Sequence, residues 1–258
     1  MSIRRSFCTG FLTETYATVS TNNYREFALD GLTPSVVSNG GTAVVLHAGP
    51  GRVRKIPRPA NARAQVRFAE QFRAELQVYR RLAGCPVVPR LFDICGHGMV
   101  KGLELELLND YRTLWNLGDW RLDFGILTKN ALSALGQLHE AGICHADLKP
   151  DNVMVNGCGE VRIIDFGKAQ PLGPFLPSLL PQFAVGFMGQ RQVNSVDEAR
   201  TLDRFSMASS IWTAMNGQWL TGVPVAEAWQ SGPVDWDAVK VGCRGIDQLE
   251  LGLLGCRW

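Results

Sequence analysis

Short apolar runs separated by glycine turns occupy the chain from Ser35 to Leu108, and a longer helical repeat takes over beyond Asn109. The runs Ser35–Ser38, Thr42–His47 and Arg52–Ile56 are joined by Asn39-Gly40-Gly41 and by Ala48-Gly49-Pro50-Gly51. Gly and Asn accept the positive φ that tight turns need, so this spacing predicts three antiparallel strands. Asn61 is placed to cap a helix whose apolar positions Phe68, Phe72, Leu76, Tyr79 and Leu82 recur every three or four residues. Gly84 and Pro86 end it. Runs at Arg90–Cys95 and Leu103–Leu108 complete a small five-stranded antiparallel sheet carrying one helix.

The second half reads differently. A helix from about Phe124 to Ala141 carries Leu127, Ala131, Leu135 and Leu138 on one face, and Gly142 stops it. Two short strands, Val153–Val155 and Val161–Ile164, flank the turn Asn156-Gly157-Cys158-Gly159. Residues 168–200 are rich in Pro, Gly and Gln, and a further helix is expected from about Asp203 to Met215. The fold class expected is α+β. Residues 1–30 form an N-terminal extension, 31–108 a β-rich lobe, and 109–258 a mostly helical lobe shortened after the 203–215 helix, with a cleft where the lobes meet.

Composition narrows the function classes. At 258 residues the chain can bury a sizeable core, and its hydrophobic fraction of 46% is ordinary for a globular protein. A net charge of +2 argues against a dedicated nucleic-acid binder. The basic cluster Arg52, Arg54, Lys55, Arg58, Arg63 and Arg67 reads as a solvated strand edge and helix face around one functional lysine. Seven cysteines, with no CxxC pair and no zinc-like spacing, fit a reducing compartment. No run approaches the ~20 apolar residues that span a bilayer. The expectation is an intracellular protein, cytoplasmic or nuclear, without membrane or nucleic-acid partners.

The candidate chemistry lies in residues 145–167, HADLKPDNVMVNGCGEVRIIDFG. Phosphoryl transfer needs a neutralised triphosphate, in-line geometry and an oriented acceptor hydroxyl. Asp147 is placed to orient that hydroxyl and receive its proton. Lys149, two residues on, points the same way from an extended loop and can steady the transferring group. Asn152 and Asp165 offer the oxygen ligands that hard Mg²⁺ prefers, at the two ends of a hairpin.

This stretch resembles the catalytic and metal-binding loops of protein kinases: HADLKPDN, then IIDFG with its aspartate eighteen residues after Asp147. The resemblance implies a bilobal kinase-like fold using ATP and Mg²⁺. It makes Asp147 the catalytic base and Asn152 and Asp165 the metal ligands, and gives His145 a structural role. Lys55, in VRK, looks like the lysine that holds the α- and β-phosphates, with Glu75 as its helix partner. Leu105 falls at the gatekeeper position, and Glu106, Leu107 and Leu108 form the hinge that meets adenine. Val53 and Met154 look like apolar lids on the purine, and Gly40 and Gly41 like a shortened phosphate-covering loop. Asp203 resembles the aspartate that holds the catalytic-loop backbone.

The LKP run favours Ser/Thr hydroxyls of a protein substrate by the same resemblance. A small-molecule phosphotransferase and a pseudokinase acting as a binding module are the alternatives. Three features depart from the family: Ala146 replaces its catalytic-loop arginine, no APE motif follows Asp165, and 55 residues remain after Asp203. Gln190 and Arg191 stand where the motif is expected. Trp219, Trp229, Trp236 and Trp258 are read as core filling or as a patch for a protein partner.

Overall fold

Val44, Leu46 and Ile56 lie on one face of a sheet and form its buried core, with Val36 packed against them. The computed structural model describes residues 35–39, 43–58, 62–95, 102–117, 122–175 and 193–216. The sheet comprises β1 (Val36–Asn39), β2 (Ala43–His47), β3 (Arg52–Pro57), β4 (Leu91–Cys95) and β5 (Gly102–Glu106). All neighbours are antiparallel, in the order β1-β2-β3-β5-β4. The five strands fall where the apolar runs predict them. Gly49 and Gly51 take φ values of 116° and 67°, which closes the β2–β3 turn as its sequence requires. Gly40 and Gly41 lie outside the described residues.

Register assigns the two faces of this sheet. Val53 sits opposite Leu105 and Lys55 opposite Leu103, so these four side chains share one face. The other face carries the core and a charge clasp. Glu104 accepts from Arg52 at 2.6 Å and from Arg54 at 3.3 Å, and the Arg52 guanidinium lies 4.2 Å from the Phe92 ring centroid. The cation–π contact and the ion pair together hold Arg52 along the sheet.

Helix α1 (Ala62–Arg81) follows β3, and Gly84 ends the segment at φ 80°. Contacts divide the chain into two units. Among the described residues, the first holds those up to Arg73 and those from Leu91 to Leu108; the second holds Ala74–Arg90 and those from Asn109 onward. The C-terminal half of α1 therefore belongs to the second unit, where Glu75, Val78, Tyr79 and Leu82 are buried.

The second unit is built on α2 (Phe124–Glu140) and α3 (Val196–Asn216). Asp123 caps α2 by accepting from the backbone N–H groups of Gly125 and Ile126, and Gly142 at φ 70° terminates it. The predicted face of Leu127, Ala131, Leu135 and Leu138 is buried throughout. Beside the helices lie a three-stranded sheet, β6 (Tyr111–Thr113), β8 (Val153–Asn156) and β9 (Val161–Ile163), and a pair, β7 (Ile143–Cys144) with β10 (Gln170–Pro171).

Helix α3 begins seven residues before the expected Asp203. Its start is a variant of the capping box: Ser195 Oγ accepts from the Glu198 N–H at 3.1 Å, while Glu198 Oε2 accepts from the N–H of Asn194, one residue before the cap, at 2.8 Å. The segment 217–258, with its four tryptophans, and Gln190 and Arg191 lie outside the described residues.

Gly102 tests the packing of the first sheet. A Cβ there would stand 2.6 Å from Ile56 Cγ2 and 2.9 Å from Cys95 Sγ. Gly102→Ala is expected to destabilise the protein by about 1–3 kcal/mol, through overpacking. Urea denaturation measures this, and an unchanged midpoint would show that the β3–β5–β4 interior has room to spare.

Candidate functional site

Strand β7 delivers the chain into His145–Lys149, and a 3-10 turn at Pro150–Asn152 carries it into β8. Lys149 is extended, with φ −158° and ψ 164°, as a residue preceding proline should be. Ala146 is held at φ 58°, an unusual conformation for a residue with a Cβ. Its anchor is Asp203, fully buried on α3. One carboxylate oxygen accepts from the His145 N–H at 2.7 Å and lies 3.1 Å from His139 Nε2. The other accepts from the Ala146 N–H at 2.9 Å.

His145 Nδ1 accepts from the Asp147 N–H at 3.3 Å, and Nε2 lies 3.0 Å from the Ile164 carbonyl. These partners suit the tautomer with its proton on Nε2. The ring thus links the loop to the strand end that carries Asp165, and its role is structural.

The loop brings Asp147, Lys149 and Asn152 together. Lys149 Nζ lies 3.7 Å from Asp147 Oδ2. Asn152 Nδ2 donates to the Asp147 carbonyl at 2.9 Å, which orients the amide and leaves Oδ1 as its ligand-type atom. The Ile164 N–H donates to the Asn152 carbonyl at 3.0 Å, tying the residue before Asp165 to Asn152. Asp165 itself sits at φ 64°. Among the described residues, no group of three or more His, Cys, Asp and Glu could hold a metal ion. Mg²⁺ bound with a nucleotide takes only one or two protein oxygens beside phosphates and waters, and Asn152 with Asp165 matches that donor chemistry.

Phe166 is fully buried. Its ring meets Tyr79 edge-on at 5.4 Å and His145 at 5.0 Å. Burial pushes the Tyr79 hydroxyl well above its usual value, and the charges of Glu75 and Asp165 raise it further. Glu75, also buried, lies one helical turn before Tyr79. Met154, half-buried, is in β8 opposite Arg162.

In the first unit, Lys55 shares its sheet face with Val53, Leu103 and Leu105. Glu106 ends β5, and Leu107 and Leu108 follow it. The Leu107 N–H donates to the Gly51 carbonyl at 2.9 Å, so this amide is already engaged within the unit. Of the nucleotide-site residues the sequence singles out, Gly40 and Gly41 lie outside the described residues, as does the proposed helix cap Asn61.

Lys168 is a contact that sequence reasoning missed. Its Nζ donates to Asp147 Oδ1 at 2.9 Å. A lysine directly after Asp165-Phe166-Gly167 is visible in the sequence, but spacing alone does not show that it turns back across 21 residues.

The family model for the protein kinase domain matches residues 52–225. The chain belongs to the protein kinase family. Among curated relatives of this kinase domain is a protein described as the probable cAMP-dependent protein kinase catalytic subunit of Encephalitozoon cuniculi. It is 28% identical over 157 residues, covering 58% of this chain and 48% of the relative. A probable serine/threonine-protein kinase of Streptomyces coelicolor is 29% identical over 183 residues, covering 64% of the chain and 26% of the relative. Sperm motility kinase 2B of Mus musculus is 52% identical over 48 residues, which is 19% of the chain and 10% of that protein. The chain thus spans about half the length, or less, of these relatives. Among the described residues, no helix is long and apolar enough to cross a membrane.

Asp203 offers a direct test of how the loop is held. Asp203→Ala strands two backbone donors, and should cost about 3 kcal/mol or more. Asp203→Asn keeps one acceptor oxygen and should cost less. Equal unfolding midpoints in urea for the alanine variant and the parent would show that the loop does not depend on this carboxylate.

Proposed function

We propose that the chain transfers the γ-phosphoryl group of ATP, with Mg²⁺, to a Ser or Thr hydroxyl of a protein. The observation that carries this reading is the assembly of Asp147, Lys149 and Asn152 on one braced loop, tied through backbone to the residue before Asp165. Asp147 orients the acceptor hydroxyl and takes its proton as the new oxygen–phosphorus bond forms and ADP leaves. Lys149 balances charge on the transferring oxygens. Asn152 and Asp165 are the residues that would hold Mg²⁺, which when bound offsets the negative charge of the triphosphate. In the first unit, Val53 and Leu105 offer an apolar face suited to adenine, and Lys55 the cation for its phosphates. Gly40 and Gly41 would cover those phosphates, and Glu75 and Met154 keep the roles that the kinase resemblance implies. Glu106, Leu107 and Leu108 supply hinge backbone; Leu108 is the better donor, since the Leu107 N–H is engaged by Gly51.

The serine/threonine preference rests on the LKP run and on the similarity to the probable serine/threonine-protein kinase of Streptomyces coelicolor. Ala146 supplies a methyl group where a phosphate-binding arginine would be needed, so activation by phosphorylation is not expected to act through this position.

Radiolabelled ATP transfer to generic proteins, to the chain itself and to small alcohols tests the reading. Asp147→Ala should lower transfer by about 10²-fold or more. It should keep the rise in melting temperature that ATP and Mg²⁺ give the parent, because a ligand bound only by the folded form stabilises it. Unchanged turnover would remove Asp147 from the chemistry. Transfer to alcohols alone would point to a small-molecule enzyme, and no thermal shift in the parent to a binding module.

A further inference from the structure

The Asp147 carboxylate is gripped at both oxygens, and the two grips are unequal. Lys168 Nζ stands 2.9 Å from Oδ1, whereas Lys149 Nζ is 3.7 Å from Oδ2. The first is a charge-assisted hydrogen bond; the second is an ion pair beyond hydrogen-bonding distance. Exposure does not separate the lysines, at 27% and 26% against 7% for Asp147. Local backbone bonding does not separate them either, since the Lys149 carbonyl accepts from the Asn152 N–H at 2.9 Å; what distinguishes Lys168 is the ladder that follows it. The Ala169 N–H donates to the Phe166 carbonyl, Gln170 Nε2 to the Lys168 carbonyl, and the Leu172 N–H to the Gly142 carbonyl. Gln170 and Pro171 pair with Cys144 and Ile143. The strand that leads into Asp147 is therefore the strand against which the segment after Lys168 is pinned. Both ends of the contact hang on one short ladder.

We propose that Lys168 is a positioning residue for the catalytic carboxylate, an inference that rests on the phosphoryl-transfer reading. By holding Oδ1 it sets the Asp147 rotamer and leaves Oδ2 as the oxygen that meets the acceptor hydroxyl. Lys149, more loosely held, is then the lysine able to serve the phosphoryl oxygens. Lys168 acts through Asp147 and touches no nucleotide, so its loss falls on turnover rather than on ATP binding.

The test uses the full chain, with Lys168→Met to remove the charge at similar length, Lys168→Arg to restore it, and both combinations with Asp147→Asn. Lys168→Met should lower kcat by about 10–100-fold, the scale of a misplaced catalytic group. The KM for ATP should stay within about twofold. Lys168→Arg should recover most of the turnover, and Lys168→Met should add nothing in the Asp147→Asn background. Full kcat in Lys168→Met, or an equal loss in both backgrounds, overturns the proposal. A second readout needs no activity: Lys168→Met should lower the melting temperature more in the parent than beside Asp147→Asn. No such coupling also overturns it. A parent that transfers no phosphate yet shows the coupling defeats the transfer reading, and the positioning role with it, while leaving the contact itself established.

Discussion

A carboxylate with no exposure to water, receiving two backbone N–H groups and facing an imidazole, holds the loop of the second unit on which the candidate site depends. Asp203 does so from within α3, and what it holds is Ala146 in the left-handed region. That conformation costs about 1–2 kcal/mol for a residue with a Cβ, so a loop free to relax would leave it. Two charge-assisted hydrogen bonds, on the amides of His145 and Ala146, offset the cost and fix the two peptide planes that lead into Ala146. The direction of the Asp147 side chain thus originates in a helix 56 residues further along the chain.

A second set of braces reaches Asp165. The Ile163 N–H donates to the Val87 carbonyl and Arg162 to the Pro86 carbonyl, so β9 is anchored beside the turn that follows α1. Phe166 then packs between Tyr79 and His145. Asp165 at φ 64° lies between these fixtures, with the hydrogen-bonded Ile164 before it and the buried Phe166 after. Strain of this kind persists only where the surroundings over-determine it, and here they do on both sides.

How much the sequence conveyed depended on the length over which a physical pattern had to repeat. The five strands of the first sheet and helix α2 were legible because alternation or a 3.6-residue period ran for a full element and glycine marked its end. Strands β6, β7 and β10 were not, because two or three residues carry no period and exist only through their partners. The start of α3 was missed for another reason: the capping box Ser195-Val196-Asp197-Glu198 was present, but Val196, Asp197 and Glu198 are exposed and carry no apolar repeat. Asp147, Lys149 and Asn152 were legible as a group because they sit within six residues of one another. Lys168 was not, since its contact with Asp147 depends on the β7–β10 ladder, which no local spacing encodes.

The two lysines at Asp147 illustrate why a charge count underdetermines a site. By composition they are equivalent, and both could neutralise one carboxylate. Geometry separates them: Lys168 follows the sharp turn at Gly167 and is backed by a strand pair, while Lys149 precedes a proline in an extended loop. A cation in a hydrogen bond at 2.9 Å has given up more rotamer freedom than one standing 3.7 Å from its partner. That division of labour, one ammonium to hold the carboxylate and one left able to move, is a property of topology rather than of residue type.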